Sequence, residues 1–241
     1  MNMEETIYKR QSIRAYRQSE VDEETIEEIR KFIQQTKALN ENISWDYDIV
    51  TADKIKTILP WRAPHYLLMF SEEKENYRKN IGFIFQQVDL YLQSKGIGTC
   101  WLGMASPNRK YQNENKKHAF IISMSFGYPE KELYRKKEEF KRKKLEQITD
   151  KMDEKLEPAQ YAPSATNSQP WYFTHNNDGT YNIYRKKLGF LKRKTIGKWN
   201  PIDIGIALAH LYITNRESFK YYVQDEHEDL KDYEYEGSFK I

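Results

Sequence analysis

Two long apolar segments, one in each half of the chain, constrain the fold more than any other feature. "IGFIFQQVDLYL" and "IGIALAHLYIT" each predict a buried helix, and they align on their Ile-Gly pairs, Gly82 on Gly205, at an offset of 123 residues. Trp45 and Trp171, each at the start of a predicted strand, align at a similar offset, as do two earlier helical patterns. The order is the same in both halves, which favours an internal duplication.

The remaining patterns predict shorter elements. Asp22 or Ser19 can cap a helix in which Ile26, Ile29 and Ile33 share one face. Apolar and aromatic runs predict strands at Ser44–Val50, His65–Phe70 and His118–Pro129, a hairpin that turns at Asn177–Gly179, and a helix over Leu145–Pro158.

Composition and charge narrow the class of protein. The length of 241 residues suits one large domain or two small ones. The 39 basic and 36 acidic residues leave a net charge of +3, which is too even a balance to require nucleic acid as a partner. Cys100 is the one cysteine, which excludes an intramolecular disulfide and a cysteine-based zinc cluster. No apolar run approaches the length of a membrane span and no signal region opens the sequence, so we expect a cytoplasmic protein.

The segment "KRQSIRAY" carries two arginines and a serine at alternate positions. In an extended segment, Arg10, Ser12 and Arg14 point the same way. Guanidinium groups bind phosphate oxygens as forks, and a serine hydroxyl adds a short donor. The segment therefore predicts an anion site, with a solvated N-terminal arm as the alternative.

A second candidate segment is "APSATNSQPW", which runs from Ala162 to Trp171. Two prolines bracket small polar residues and lower the entropy that is lost when the segment becomes ordered. Donors and acceptors without bulk suit the edge of a flat heterocycle. An ordinary connection between a helix and a strand is the alternative.

Two more segments are candidates. In "GIGTCWLG", the glycines allow backbone to approach a ligand, or they end a helix beside a buried cysteine. Cys100 has no acid or histidine beside it in sequence, so it is a poor candidate for a nucleophile. "KRKKLEQI" supplies Arg142 and Lys143 to a site or forms a solvated charge run. The histidines show no metal-ligand spacing.

At these segments the sequence resembles the FMN-dependent nitroreductase family. The string R-x-S-x-R-x-Y, followed by an acidic helix, is similar to the family's phosphate-binding signature. "APSATNSQPW" is similar, nearly letter for letter, to its flavin-contacting loop, and "GIGTCWLG", "FGYP" and the basic segment before "LEQI" also match. The resemblance implies an α+β, nitroreductase-like fold with a mixed, mostly antiparallel sheet flanked by helices.

The order of the motifs departs from the family's pattern. In the family, signature and loop lie within a few dozen residues, and two subunits form a homodimer with two flavin sites at its interface. Here the first half keeps the signature and has lost the loop, whereas the second half has only the loop. The chain thus resembles the single-chain branch in which two degenerate halves mimic the dimer. We expect halves at 1–135 and 136–241, one FMN per chain, and a monomer or weak homodimer.

The resemblance also implies site residues by position. Arg10, Ser12 and Arg14 would hold the FMN phosphate and ribityl chain. Arg142 and Lys143 would add charge at the phosphate. The isoalloxazine ring would lie against residues from both halves: Ile97, Gly98, Thr99, Pro163, Ser164, Ala165, Thr166, Asn167 and Gln169.

The implied activity is that of an FMN-dependent NAD(P)H oxidoreductase. NAD(P)H would reduce the flavin, and a nitroaromatic, a quinone or a similar flat acceptor would reoxidise it, with ping-pong kinetics and no catalytic side chain. The alternatives are a flavin-binding or sensing protein without turnover, reductive dehalogenation on the same fold, and a nucleic-acid binder that uses the basic runs at 134–144 and 184–194. We expect a small-molecule electron acceptor as partner, and no metal, nucleic acid or membrane.

Overall fold

The computed structural model describes residues 1–111 and 117–241. The chain divides into two compact units. The first contains Met1–Tyr77 and Val88–Glu139, and the second contains Arg78–Gln87 and Phe140–Ile241. The second unit thus includes ten residues from the first half of the sequence. The predicted halves, 1–135 and 136–241, stay a prediction.

The first unit contains an antiparallel sheet of four strands, which lie in the order β1-β3-β6-β4. A two-stranded ribbon, β2-β5, forms a second small sheet. In chain order, the elements that begin in this unit are α1 Met3–Ile7, α2 Glu23–Gln34, β1 Trp45–Thr51, β2 Ile55–Thr57, β3 His65–Ser71, α3 Tyr77–Ser94, β4 Gly98–Leu102, β5 Ala105–Pro107 and β6 Ala119–Gly127.

Local sequence signals account for most of these elements. The Asp22 carboxylate caps α2 by accepting the backbone N–H of Thr25 at 2.9 Å. Strand β3 is buried along its whole length, which agrees with its continuous apolar sequence. Helix α2 buries the face that the sequence predicted, Ile26, Ile29 and Ile33. The three predicted strands are confirmed to within two residues at each end.

The second unit contains another antiparallel sheet of four strands, in the order β7-β8-β10-β9. Strands β7 and β8 are the predicted hairpin, and Gly179 in its turn has a φ of 79°, which glycine adopts without steric cost. In chain order, the elements are α4 Glu157–Gln160, β7 Trp171–His175, β8 Tyr181–Lys186, α5 Phe190–Ile196, α6 Asn200–Thr214, β9 Lys220–Tyr222 and β10 Tyr233–Lys240.

The helix predicted from "LEQITDKMDEKLEP" is wrong. The segment forms short 3-10 turns at Leu145–Gln147 and Glu154–Leu156, and Met152 is 61% exposed. The reason lies in its backbone hydrogen bonds. Phe173 on β7 donates its N–H to the carbonyl of Ile148 at 2.8 Å, so the segment pairs with a strand and does not form a continuous α-helix.

Both four-stranded sheets have the same topology. In each, two strands pair, a buried helix follows, and the last strand lies between the second and the third. A duplicated fold has this property. No helix in the described part of the chain is long and apolar enough to span a bilayer.

Candidate functional site

The segment "KRQSIRAY", Lys9–Tyr16, is here called the N-terminal arm, and it lies along strand β4. Ser12 forms a bridge with Thr99, and the N–H of Ile13 donates to the carbonyl of Thr99 at 2.8 Å. The approach is close because Gly98 has no side chain: an added Cβ would lie 2.7 Å from Cγ1 of Ile13. The structure therefore brings together two segments that the sequence analysis identified separately.

Arg10 is buried, with 1% of its surface exposed. Its Nε lies 2.9 Å from Oδ2 of Asp89, in a buried ion pair. Asp89 also accepts the hydroxyl of Thr99, whose Oγ1 accepts Nε2 of Gln93 at 2.7 Å. Nη2 of Arg10 has no hydrogen-bond partner among the described residues. A buried N–H of a charged group is costly when unsatisfied, so this donor is suited to a ligand.

The three predicted phosphate ligands run from the interior to the surface. Arg10 is buried, Ser12 is half-buried and Arg14 is exposed, while Ile13 between them packs in the hydrophobic core.

Burial raises the pKa of the Cys100 thiol, although Arg14 and Arg10 nearby oppose the rise. A protonated thiol is a weak nucleophile, which agrees with the sequence interpretation.

A third arginine, which the sequence analysis missed, lies beside the arm. The N–H of Arg135 donates to the carbonyl of Lys9 at 2.9 Å. Burial lowers the pKa of Arg135, Arg10 and Arg14 lower it further, and Glu139 opposes them. In the sequence Arg135 belongs to a basic run that is typical of a solvated linker. The one local signal was its place six residues after "FGYP".

The loop predicted from "APSATNSQPW" has an unusual backbone. Thr166, Asn167 and Gln169 have φ angles of 52°, 57° and 46°. Residues other than glycine rarely adopt positive φ, and a β-branched residue such as threonine is strained there. Ser164 closes the loop by accepting the N–H of Gln169 at 2.9 Å. Local strain of this kind is concentrated at functional sites.

Arg142 and Lys143 hold this loop from one side. Arg142 donates from Nη1 to Oδ1 of Asn167 at 2.5 Å and from Nη2 to the carbonyl of Tyr161 at 3.3 Å. Lys143 donates from its backbone N–H to Oε1 of Gln169 at 2.7 Å and from Nζ to the carbonyl of Gln169 at 2.8 Å. The structure thus brings the basic segment to the loop. Their predicted role at a phosphate stays a prediction.

Helix α6 holds the loop from the other side. Buried Asp203 accepts the N–H of Ala165 at 2.9 Å and Nδ2 of Asn200 at 3.0 Å. The same Nδ2 lies 3.1 Å from Oγ of Ser168. Burial raises the pKa of Asp203 to about 7, against the opposing effect of these hydrogen bonds. The loop is therefore held by two polar side chains, Asp203 and Asn200, on a helix that the sequence pattern predicted only to be apolar.

The other predicted residues fall into two groups. In the first unit, Ile97, Gly98 and Thr99 are all buried beside the arm. In the second unit, Pro163 is buried, Ser164 and Ala165 are half-buried, and Thr166 and Asn167 are exposed. Among the described residues, no group of three acidic, histidine or cysteine side chains is placed to hold a metal ion.

A wide cavity of about 880 Å³ in the first unit lies elsewhere. Ribbon β2-β5 and four basic side chains line it: Lys56, Arg62, Arg109 and Lys110. It shares no lining residue with the predicted site, and its open shape does not suit the enclosed binding of a flat ring.

Comparisons with known proteins identify relatives of this arrangement. A family model described as "Putative TM nitroreductase" matches residues 2–215. A solved structure described as a "putative nitroreductase", from Thermotoga maritima, is similar over 100% of this chain and 93% of its own, at 21% identity and a TM-score of 0.67. A nitroreductase family protein from Clostridium difficile covers 61% of this chain and 96% of its own, at 18% identity and a TM-score of 0.51. The expected α+β fold is confirmed. A comparison with curated proteins gave no match.

Proposed function

This chain belongs to the nitroreductase family whose model matches nearly its whole length, and we propose that it is an FMN-dependent NAD(P)H oxidoreductase. Its acceptors are flat molecules such as nitroaromatics and quinones. The left-handed backbone at Thr166, Asn167 and Gln169 carries this proposal. A conformation that costs free energy, and that hydrogen bonds with Arg142, Lys143 and Asp203 hold in place, is typical of a segment shaped for a ligand.

The residues of the arm fit an FMN phosphate. Nη2 of buried Arg10 has no partner in the part of the chain that the structure describes, and Ser12 and Arg14 follow it toward solvent. A phosphate dianion satisfies such a donor with charge-assisted hydrogen bonds. We assign the phosphate to these three residues, as the sequence predicts.

The isoalloxazine ring is assigned to the backbone and small side chains of the loop at 163–169 and to Ile97, Gly98 and Thr99. Bound FMN supplies the hydride and electron transfer chemistry. The chain binds the phosphate and presents hydrogen-bond donors and acceptors to the ring edge. No side chain is assigned a role in proton transfer.

Internal duplication is part of the proposal. The common strand order of the two sheets supports it. Only one arm carries the arginine-serine-arginine string and only one loop carries the "PSATNSQPW" sequence, so we infer one FMN per chain.

The absorption spectrum of the purified full chain, followed by release and identification of the chromophore, tests the proposal. We expect FMN at about one per chain, and bleaching of the flavin by NADH or NADPH that a nitroaromatic or quinone reverses. Two FMN per chain would contradict the single site. Bound FMN that no nicotinamide reduces would favour a sensor, and activity confined to halogenated phenols would favour a dehalogenase. No flavin, even after soaking in FMN, would contradict the proposed function.

A further inference from the structure

Antiparallel pairing in the first unit brings a distant segment to the N-terminal arm. Tyr16 forms a bridge with Pro129 at one end of the pairing, and Arg135 donates its N–H to the carbonyl of Lys9 at the other, at 2.9 Å. The chain at 129–135 therefore runs beside the arm in the opposite direction, and Arg135 lies next to Arg10.

Contacts of the three preceding residues, Glu132, Leu133 and Tyr134, fix the backbone position of Arg135. Gln11 donates from Nε2 to the carbonyl of Glu132 at 3.0 Å. Leu133 packs in the hydrophobic core of the unit, and the hydroxyl of Tyr134 donates to a carbonyl of α3 at 2.6 Å. The backbone that carries Arg135 is thus placed by the fold itself, so a ligand need not order it.

The pairing gathers positive charge around Arg135. Burial lowers the pKa of Arg135 most, and the nearby positive charges of Arg10 and Arg14 lower it further. Asp89 pairs with Arg10, and the negative charge of Glu139 opposes the lowering of the pKa of Arg135. Guanidinium groups that lie this close together are stabilised by an anionic ligand.

We propose that Arg135 binds the phosphate of FMN, as a third guanidinium beside Arg10 and Arg14, and that Arg142 acts as a brace of the loop. This inference rests on the proposed function. Both Nη groups of Arg142 already donate to the loop and its flank, to Asn167 and to the carbonyl of Tyr161. A residue with these bonds shapes the loop that meets the ring.

Binding of FMN and of riboflavin to the flavin-free full chain separates these two roles. The two flavins share the ring, and only FMN has a phosphate. Quenching of flavin fluorescence gives both dissociation constants at fixed ionic strength. We expect Arg135→Gln to weaken FMN binding about tenfold or more and to leave riboflavin binding unchanged within about twofold, because it removes charge-assisted hydrogen bonds to the phosphate alone.

Two control variants complete the test. Arg142→Gln should weaken FMN and riboflavin by the same factor, because it loosens the loop. Lys136→Gln removes the same charge from an exposed neighbour and should leave both dissociation constants unchanged within about twofold. Should Arg135→Gln not fold, Arg135→Lys keeps the charge without the fork and should lose about threefold in FMN affinity alone.

The outcomes of these binding experiments distinguish the role of Arg135 from the proposed FMN-dependent function. If the unmodified chain binds neither flavin, the proposed function fails. If it binds FMN and the ratio of the two dissociation constants is unchanged in Arg135→Gln, only the role of Arg135 is overturned. A selective loss of FMN in Arg142→Gln would overturn the brace and give the phosphate to Arg142.

Discussion

Gly82 and Gly205 make reciprocal contacts between two buried helices. A Cβ added to Gly82 would lie 2.1 Å from the carbonyl oxygen of Ile202, and one added to Gly205 would lie 1.9 Å from that of Lys79. Lys79 and Ile202 each lie three residues before the glycine of their own helix. Each glycine thus meets the residue three positions before the other glycine, which is the reciprocal pattern of an interface in a twofold dimer. Here the contact lies within the second unit, which includes residues 78–87 of α3 and all of α6.

Alanine at either glycine should destabilise the chain. The obstructing atoms are backbone, so the helices must move apart, and this outweighs the better helix propensity of alanine. We expect Gly82→Ala and Gly205→Ala each to lower the free energy of unfolding in urea by about 1–3 kcal/mol. Gly189→Ala is the control, because an added Cβ there meets nothing within 4 Å. An equal loss at Gly189 would contradict the packing explanation.

The sequence predicted the two buried helices and aligned Gly82 with Gly205, but it did not predict that the two helices meet at these glycines. Strong local patterns also predicted α2, the hairpin and the three strands. The helix predicted at Leu145–Pro158 was wrong for a physical reason: its apolar spacing is helical, but Ile148 and Asp150 form backbone hydrogen bonds with Phe173 on β7. A local pattern does not show which distant strand competes for a backbone group.

The candidate site was predictable only in its segments. The arm and the loop have distinctive sequence motifs, R-x-S-x-R-x-Y and "APSATNSQPW", so both segments were identified. The Arg10–Asp89 ion pair and the place of Arg135 depend on pairings across much of the first unit, which no local spacing encodes. The strained backbone of Thr166 is equally hidden, because threonine is not a residue that predicts positive φ.

Removal of the counter-charge of Arg10 should destabilise the unliganded chain. Asp89→Asn leaves a buried guanidinium without its partner, and breaking such a pair costs about 3–5 kcal/mol. We expect FMN to raise the melting temperature more in this variant than in the unmodified chain, because the phosphate replaces the lost charge. Riboflavin is the control and should give no additional rise. The same rise with both flavins would contradict a phosphate at Arg10.

Stability should depend on pH through Asp203. Its pKa is raised by burial to about 7, so the folded chain holds the proton more tightly than the unfolded chain, where the pKa is about 3.9. The resulting stabilisation is fully present below pH 3.9 and is lost as pH rises through about 7.

Asp203→Asn removes this titration and keeps an oxygen that can accept the N–H of Ala165. Relative to that variant, the unfolding free energy of the unmodified chain should fall by up to about 1.4 kcal/mol per pH unit between about pH 4 and 7, and then level off. Urea titrations across this range measure the difference, in which the other carboxylates cancel. A difference that does not vary with pH would mean that Asp203 stays charged in the fold.

Relief of the strain at Thr166 should separate stability from flavin binding. Thr166→Gly removes the Cβ from a residue with a φ of 52°, and we expect it to raise the unfolding free energy of the unliganded chain by about 0.5–1 kcal/mol. Flavin affinity should fall severalfold, because a looser loop must then be ordered on binding. Ala165→Gly, at a neighbour without positive φ, is the matched control and should lower stability by about 0.5–1 kcal/mol. If both glycine variants lose stability equally, the left-handed backbone at Thr166 stores no strain, and the loop would be an ordinary turn without a conformation shaped for a ligand.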